Sequence, residues 1–149
     1  MESSNSIVVE TQMLIRKPVA QVFEAFVNPD ITSKFWFTKS SGRLEPGKKV
    51  RWEWEMFGVE DELTVKAFEE NQRILVEWDN DPTIVEWHFE PQDDDTTLVK
   101  ISNWNFSGRC EEVLPQAVDA KGGYTMVLAG LKAWLEHGIE LGLVSDQFP

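Results

Sequence analysis

Gly123-Tyr-Thr-Met-Val-Leu-Ala-Gly-Leu-Lys-Ala-Trp-Leu-Glu-His-Gly-Ile-Glu-Leu-Gly142 is the stretch whose reading decides the fold. At about 100° per residue, Trp134, Val127, Gly138, Leu131, Gly142, Tyr124, Leu135, Leu128 and Ile139 fall on one side of a helical wheel. Lys132, Thr125, Glu136, Ala129 and Glu140 fall on the other. The pattern predicts an amphipathic helix over 123–142 with a wide apolar face. Only seven residues follow it, so the cover for that face is expected from the chain before it. Gly130, Gly138 and Gly142 each cost a helix about 1 kcal/mol relative to alanine. Burying the apolar side chains of the face contributes about 1.5–3 kcal/mol apiece, so packing outweighs the glycines. Gly138 and Gly142 fall inside the apolar face, where a missing side chain means either close backbone approach or room for a ligand.

Upstream of the helix the period of the sequence is two. Ile7 to Ile15 alternates as a strand. Pro18 then suits the first turn of a helix carrying Val19, Val22, Phe23, Phe26 and Val27, and Asn28-Pro29 stops it. Asp30 is placed to cap a short second helix that ends near Phe35-Trp36. Six strand-like runs follow: a weak one over 40–44, then Val50–Met56, Val59–Phe68, Ile74–Trp78, Val85–Phe89 and Thr97–Trp104, with turn signals at Glu45-Pro-Gly47, Gly58, Glu69–Gln72, Asp79–Pro82 and Pro91–Asp95. Short turns between alternating strands predict an antiparallel meander with one apolar face, and the terminal helix is its cover. Pro115 to Lys121 is read as a preliminary turn of helix before Gly122-Gly123. The fold class expected is α+β, in the order β-α-α-β6-α, with a curved sheet wrapped on a long C-terminal helix. At 149 residues one domain over 1–149 is expected.

Composition narrows the partners. The formal net charge of −12 argues against nucleic acid and anionic membrane surfaces. No apolar run is long enough to span a bilayer, so no membrane insertion is expected. Met1-Glu-Ser-Ser-Asn-Ser lacks the basic start and apolar core of a signal peptide. A single cysteine, Cys110, excludes an internal disulfide framework and suits the cytoplasm.

Catalytic constellations are scarce. The only histidines are His88 and His137. His88 lies opposite Trp87 in strand phase, and His137 sits at the edge of the helix's apolar face. Zinc-protease, nucleophile-elbow and phosphate-binding motifs are absent. Histidines and Cys110 are too few for a zinc site. Asp93-Asp94-Asp95 fails as a calcium loop, because Leu98 and Trp104 stand where glycine and glutamate are required. No cofactor and no metal are expected. What stands out is seven tryptophans. Trp52, Trp54, Trp78 and Trp87 share the inward phase of the strands, Asn103 holds the same phase in the last one, and Asp61 is in phase with Leu63 and Val65. Opposite them the helix presents Tyr124, Val127, Leu131 and His137, and Trp36 precedes the meander. An apolar cavity with a few convergent polar groups is the usual form of a small-molecule site.

At the residue level, Ile15-Arg-Lys-Pro-Val-Ala-Gln-Val-Phe-Glu-Ala-Phe26 resembles the opening helix of the START-like (SRPBCC) helix-grip superfamily. Phe35-Trp36 and Gly42-Arg-Leu-Glu-Pro-Gly47 are similar to its aromatic pair and its turn before the third strand. Gly123-Tyr124, Leu128, Leu131 and Leu135-Glu136 resemble the terminal helix of the branch of activators of a heat-shock chaperone's ATPase, with Tyr124 where that branch often carries Trp. The resemblance covers roughly residues 7–143. It implies a helix-grip fold and a choice among lipid and hormone binders, cyclases and co-chaperones. The leading expectation is a non-catalytic domain that binds a hydrophobic or amphipathic small molecule between sheet and helix. One alternative is a co-chaperone-like activator, whose partner is a chaperone. Another is a cyclase- or hydrolase-like enzyme with His137 or Asp61 as base and Tyr124 or a Trp N–H as donor. Oligomeric state is not readable from these residues.

Overall fold

Alternating apolar residues between short polar turns do fold as a meander. The computed structural model describes residues 6–80 and 82–149. Its strands are β1 (Val9–Ile15), β2 (Lys39–Ser40), β3 (Lys49–Trp54), β4 (Val59–Glu69), β5 (Arg73–Trp78), β6 (Ile84–Asp93) and β7 (Thr96–Trp104). Helices α1 (Val19–Val27) and α2 (Pro29–Thr32) follow β1. The long α3 (Cys110–His137) and a final turn, α4 (Leu143–Asp146), close the chain. All strand pairs are antiparallel, in the order β1-β7-β6-β5-β4-β3-β2, so the first strand returns beside the last. Register shifts at Val65/Ala67 in β4 and Pro91/Asp93 in β6 bend the strands. This is the curved antiparallel sheet of a helix-grip fold.

Cross-strand pairs confirm the inward phase. Trp52 stands opposite Asp61, Leu63 opposite Trp78, Ile74 opposite Trp87 and Val85 opposite Asn103. Helix α1 lays Phe23 and Phe26 on this face, edge-on to Phe89 at 5.1 and 5.4 Å. Asn28, rather than Asp30, caps α2: its Oδ1 accepts the Asp30 N–H at 3.0 Å, with Pro29 at the first helical position. The run expected to continue to Met56 breaks at Trp54 into a 3₁₀ turn, Glu55–Phe57, which Gly58 ends at φ 62°. The weak strand expected over 40–44 shortens to Lys39–Ser40.

The terminal helix is displaced from its expected bounds at both ends. It starts at Cys110, not Gly123, and stops at His137, not Gly142. At its start Glu112 accepts the Arg109 N–H at 2.9 Å, and Glu111 and Glu112 complement the helix dipole. Val113 and Ala117 pack with Val9 and Phe106 in a small second core, and this packing carries the helix through Pro115, Gly122 and Gly123. At the other end Gly138 takes φ 66°, and its N–H with that of Ile139 satisfies the last carbonyls. Gly142, at φ 68°, opens α4. Gly138 ends the helix and Gly142 lies beyond it, where it borders a smaller hollow with Gly130 and the segment after α2. The glycine at a close approach is Gly130, where a Cβ would stand 3.1 Å from the Phe35 Cβ.

Both sides of α3 are used. Val127, Leu128 and Leu131 are buried in the main core. The polar side faces the edge strand rather than only solvent. Lys132 Nζ donates to the Leu14 carbonyl at 2.7 Å, Glu136 accepts the Arg16 N–H at 2.8 Å, and Thr125 and Thr11 hydroxyls meet at 3.0 Å. The helix is therefore held by an apolar stripe over the sheet and by polar ties to β1.

Candidate functional site

The inward tryptophans form two layers, which strand phase alone does not separate. Trp52 and Trp87 make the floor, stacked at 6.1 Å and 14° and almost without exposure. Trp36, supplied by the turn after α2, stands edge-on to both at 5.0 and 5.6 Å. Above them Trp36, Trp54 and Trp78 line a cavity of about 680 Å³ whose opposite wall is α3. This volume falls in the range typical of small-molecule sites, ~300–1,000 Å³.

Helix α3 reaches the cavity with Gln116, Asp119, Gly123 and Val127 at three- and four-residue spacing, and with Val118, Ala120, Gly122 and Tyr124 beside them. Trp78 Nε1 donates to the Tyr124 hydroxyl at 3.2 Å, and the Trp36 and Tyr124 rings meet edge-on at 6.0 Å. Burial pushes the Tyr124 hydroxyl well above the ordinary phenol range, against the Trp78 hydrogen bond and with a contribution from the charge of Asp61. The phenol is therefore a neutral donor and acceptor at physiological pH. Asp61 lies in the same wall, half-buried, its Oδ1 accepting the N–H groups of Glu62 at 2.7 Å and Asn80 at 3.0 Å. Burial raises the Asp61 carboxyl above its usual range despite these two bonds. Asn103 is buried and donates from Nδ2 to the Ile84 carbonyl at 2.9 Å, which fixes its amide at the cavity edge.

Of the expected site residues, the cavity brings together Trp36, Trp54, Asp61, Trp78, Asn103, Tyr124 and Val127. Trp52, Trp87 and Leu131 are buried behind its wall. His137 lies apart, at the end of α3, with 66% of its side chain exposed. The helix ends at His137 itself, so no apolar helical face extends past it. Residues without a sequence signal complete the wall: Thr83 precedes β6 and Phe106 follows β7, and Phe57 and Phe148 meet edge-on at 6.0 Å. Phe148 arrives because the chain folds back after Gly138. Among the described residues no cluster of three His, Cys, Asp or Glu side chains is placed to hold a metal ion, and no helix is long and apolar enough to cross a membrane.

The family described as Activator of Hsp90 ATPase homolog 1-like protein matches residues 16–136. The chain belongs to this family. Within the START-like superfamily its structure is similar to that of protein SSP2350 from Staphylococcus saprophyticus, with a TM-score of 0.79 and 31% identity over 91% of this chain and 96% of that one. The Aha1 dimer from Colwellia psychrerythraea aligns with a TM-score of 0.75 and 17% identity over 89% of this chain and 98% of that one. CalU16 from Micromonospora echinospora aligns with a TM-score of 0.70 and 17% identity over 94% and 82%. The last two likenesses concern the fold alone. Among curated proteins none matches the sequence significantly.

Proposed function

We propose that this family member binds a hydrophobic or amphipathic small molecule in the cavity between the sheet and α3, without chemistry on it. The observation that carries the reading is the cavity itself: about 680 Å³, walled by Trp36, Trp54 and Trp78 against α3, with Tyr124, Asn103 and Asp61 as polar groups to orient a ligand. Binding is supported better than catalysis. A general base must lie within hydrogen-bond reach of the substrate, and His137 is outside the cavity. Of the two candidate bases only Asp61 reaches the cavity, with one oxygen already engaged by two backbone N–H groups. Native mass spectrometry of the purified protein, with quenching of its tryptophan emission by a lipid and aromatic library, tests the proposal. Saturable quenching and a one-to-one complex are expected; no binding across the library would sink it.

A second reading, activation of a heat-shock chaperone ATPase, is favoured by the family match over residues 16–136. The net charge of −12 suits docking on a basic patch. Stimulated ATP hydrolysis by the cognate Hsp90 supports it, whereas no stimulation and no complex at micromolar concentrations would eliminate it. One test reads small-molecule binding and the other ATP hydrolysis, so each can fail without the other.

A further inference from the structure

The charge inside the cavity is one-sided. Among the described residues its wall contains two carboxylates, Asp61 within and Asp119 on the exposed rim, and no Lys, Arg or His. Around them stand seven aromatic side chains, three of them tryptophans. Elsewhere the carboxylates of this protein are commonly paired: Glu24 with Arg43, Glu86 and Glu69 with Arg73, Glu90 with Lys100, Glu136 with Lys132. Asp61 stands on a strand whose convex face carries such pairs, yet it points into the aromatic cavity and is held by backbone N–H groups.

We infer that the ligand is an organic cation, an ammonium group joined to an apolar or aromatic body, with Asp61 as its counter-charge and the cavity's aromatic rings around it. The inference rests on the reading of the cavity as a ligand site and names the class of ligand. The physical reason is compensation. A half-desolvated carboxylate costs free energy until an opposite charge or further donors meet it, and among the described residues the lining offers no cation of its own. A bound ammonium supplies that charge. It also meets ring faces whose quadrupoles attract cations, Trp most strongly. Trp36, Trp54 and Trp78 do not stack in parallel. Trp36 and Trp54 stand 71° and 50° to Trp78, with centroids 6.4 Å apart in each pair, and Tyr124 stands 86° to Trp36. The rings therefore address the cavity from several directions. An anionic ligand would face Asp61 with nothing to neutralise either charge. A neutral one would desolvate the carboxylate further without repaying it.

The test uses three probes that share a phenethyl-like body: 2-phenylethylammonium, 2-phenylethanol and 3-phenylpropionate, titrated into the full-length protein at pH 7 and followed by tryptophan quenching and calorimetry. The ammonium should bind about tenfold or more tightly than the alcohol, and the propionate most weakly. Asp61→Asn keeps an acceptor for the Asn80 and Glu62 N–H groups and should cut the ammonium's advantage over the alcohol to less than about threefold. Asp119→Asn, on the rim, should cost the ammonium less than Asp61→Asn does. If the alcohol or the propionate binds as tightly as the ammonium, the cation inference fails while small-molecule binding stands. If none of the three binds and the wider library also fails, the binding reading falls and takes this inference with it. The ranking on the wild-type protein decides the matter even if the Asp61 variant does not fold.

Discussion

Replacing Glu136 by alanine should loosen α3 from the sheet edge, and the cost follows from its contacts. The Glu136 side chain is 9% exposed; its Oε2 accepts Lys132 Nζ and the Arg16 N–H, each at 2.8 Å. Lys132 Nζ also donates to the Leu14 carbonyl at 2.7 Å. Alanine strips the ammonium of its counter-charge and the Arg16 N–H of its acceptor. Breaking a fully buried pair costs about 3–5 kcal/mol, and a hydrogen bond to a charged group contributes about 1.5–3 kcal/mol. Lys132 is 29% exposed and keeps Leu14, so water recovers part of the loss, leaving about 2 kcal/mol. With a urea slope of about 2 kcal/mol/M, the unfolding midpoint should fall by about 1 M. Lys132→Met alone should cost a similar amount, because it leaves the Glu136 carboxylate buried. The double variant Lys132→Met/Glu136→Leu should cost at least ~1 kcal/mol less than the sum of the singles. Acidity supplies a second check. Burial pushes the Glu136 carboxyl up, but the Lys132 hydrogen bond, the Arg16 N–H and the charges of both residues outweigh it and hold the group below its ordinary value. Such a group stabilises the fold above the ordinary carboxylate range, and the contribution is lost as pH falls through the lowered value. The cost of Glu136→Ala should therefore shrink in acid. A midpoint shift under about 0.3 M at neutral pH, or strictly additive singles, would refute this account of how the helix is held.

Trp87, with no exposure and stacked on Trp52, should cost about 3–5 kcal/mol when replaced by alanine in urea unfolding. Trp87→Phe should cost much less, because the buried Trp87 Nε1 has no hydrogen-bond partner and its removal relieves an unmet donor worth about 1–3 kcal/mol; equal costs for the two variants would contradict this. Gly138→Ala meets no atom within 4 Å of the new Cβ, so its cost should be backbone strain alone, about 1–2 kcal/mol at φ 66°. A crystal structure of that variant should show the αL turn kept. For Asp61 the raised carboxyl means that its contribution to stability is fully present below the unfolded-state value and is lost as pH rises through the folded one. Thermal melts should then show Asp61→Asn gaining on the wild type from acid to neutral pH, and a difference independent of pH would count against the burial of this group.

Strand positions were legible because one face of each strand is buried and the side-chain period of two writes that face into the sequence. Trp52, Asp61, Leu63, Trp78 and Asn103 share a face as their phase predicts. Phase does not report depth. Whether a tryptophan is floor or wall depends on sheet bending at the bulges and on which element lies above it, and Trp52 and Trp87 were buried by α1, Trp36 and their neighbours. The bounds of α3 were misread for a related reason. Pro115, Gly122 and Gly123 lower local propensity, and packing of Val113 and Ala117 against Val9 and Phe106 overrides it. With the start placed at Cys110, the stripe of Gln116, Asp119, Gly123 and Val127 would have pointed to the cavity from the sequence. Gly138 carried an ambiguous signal, since glycine at a helix end is commoner than glycine within. The fold-back that brings Phe148 to Phe57 is marked locally only by Gly138 and Gly142, both at positive φ.

The central claim is that the space between the tryptophan wall and α3 receives a ligand. The most direct measurement is a two-dimensional NMR titration that follows the seven indole N–H resonances during addition of a probe that quenches tryptophan emission. The account predicts that the signals of Trp36, Trp54 and Trp78 move together and saturate at one equivalent, with smaller shifts for Trp52 and Trp87 behind them and none for Trp134. Shifts confined to Trp134 or Trp104, or a spectrum unchanged across the probes, would contradict it.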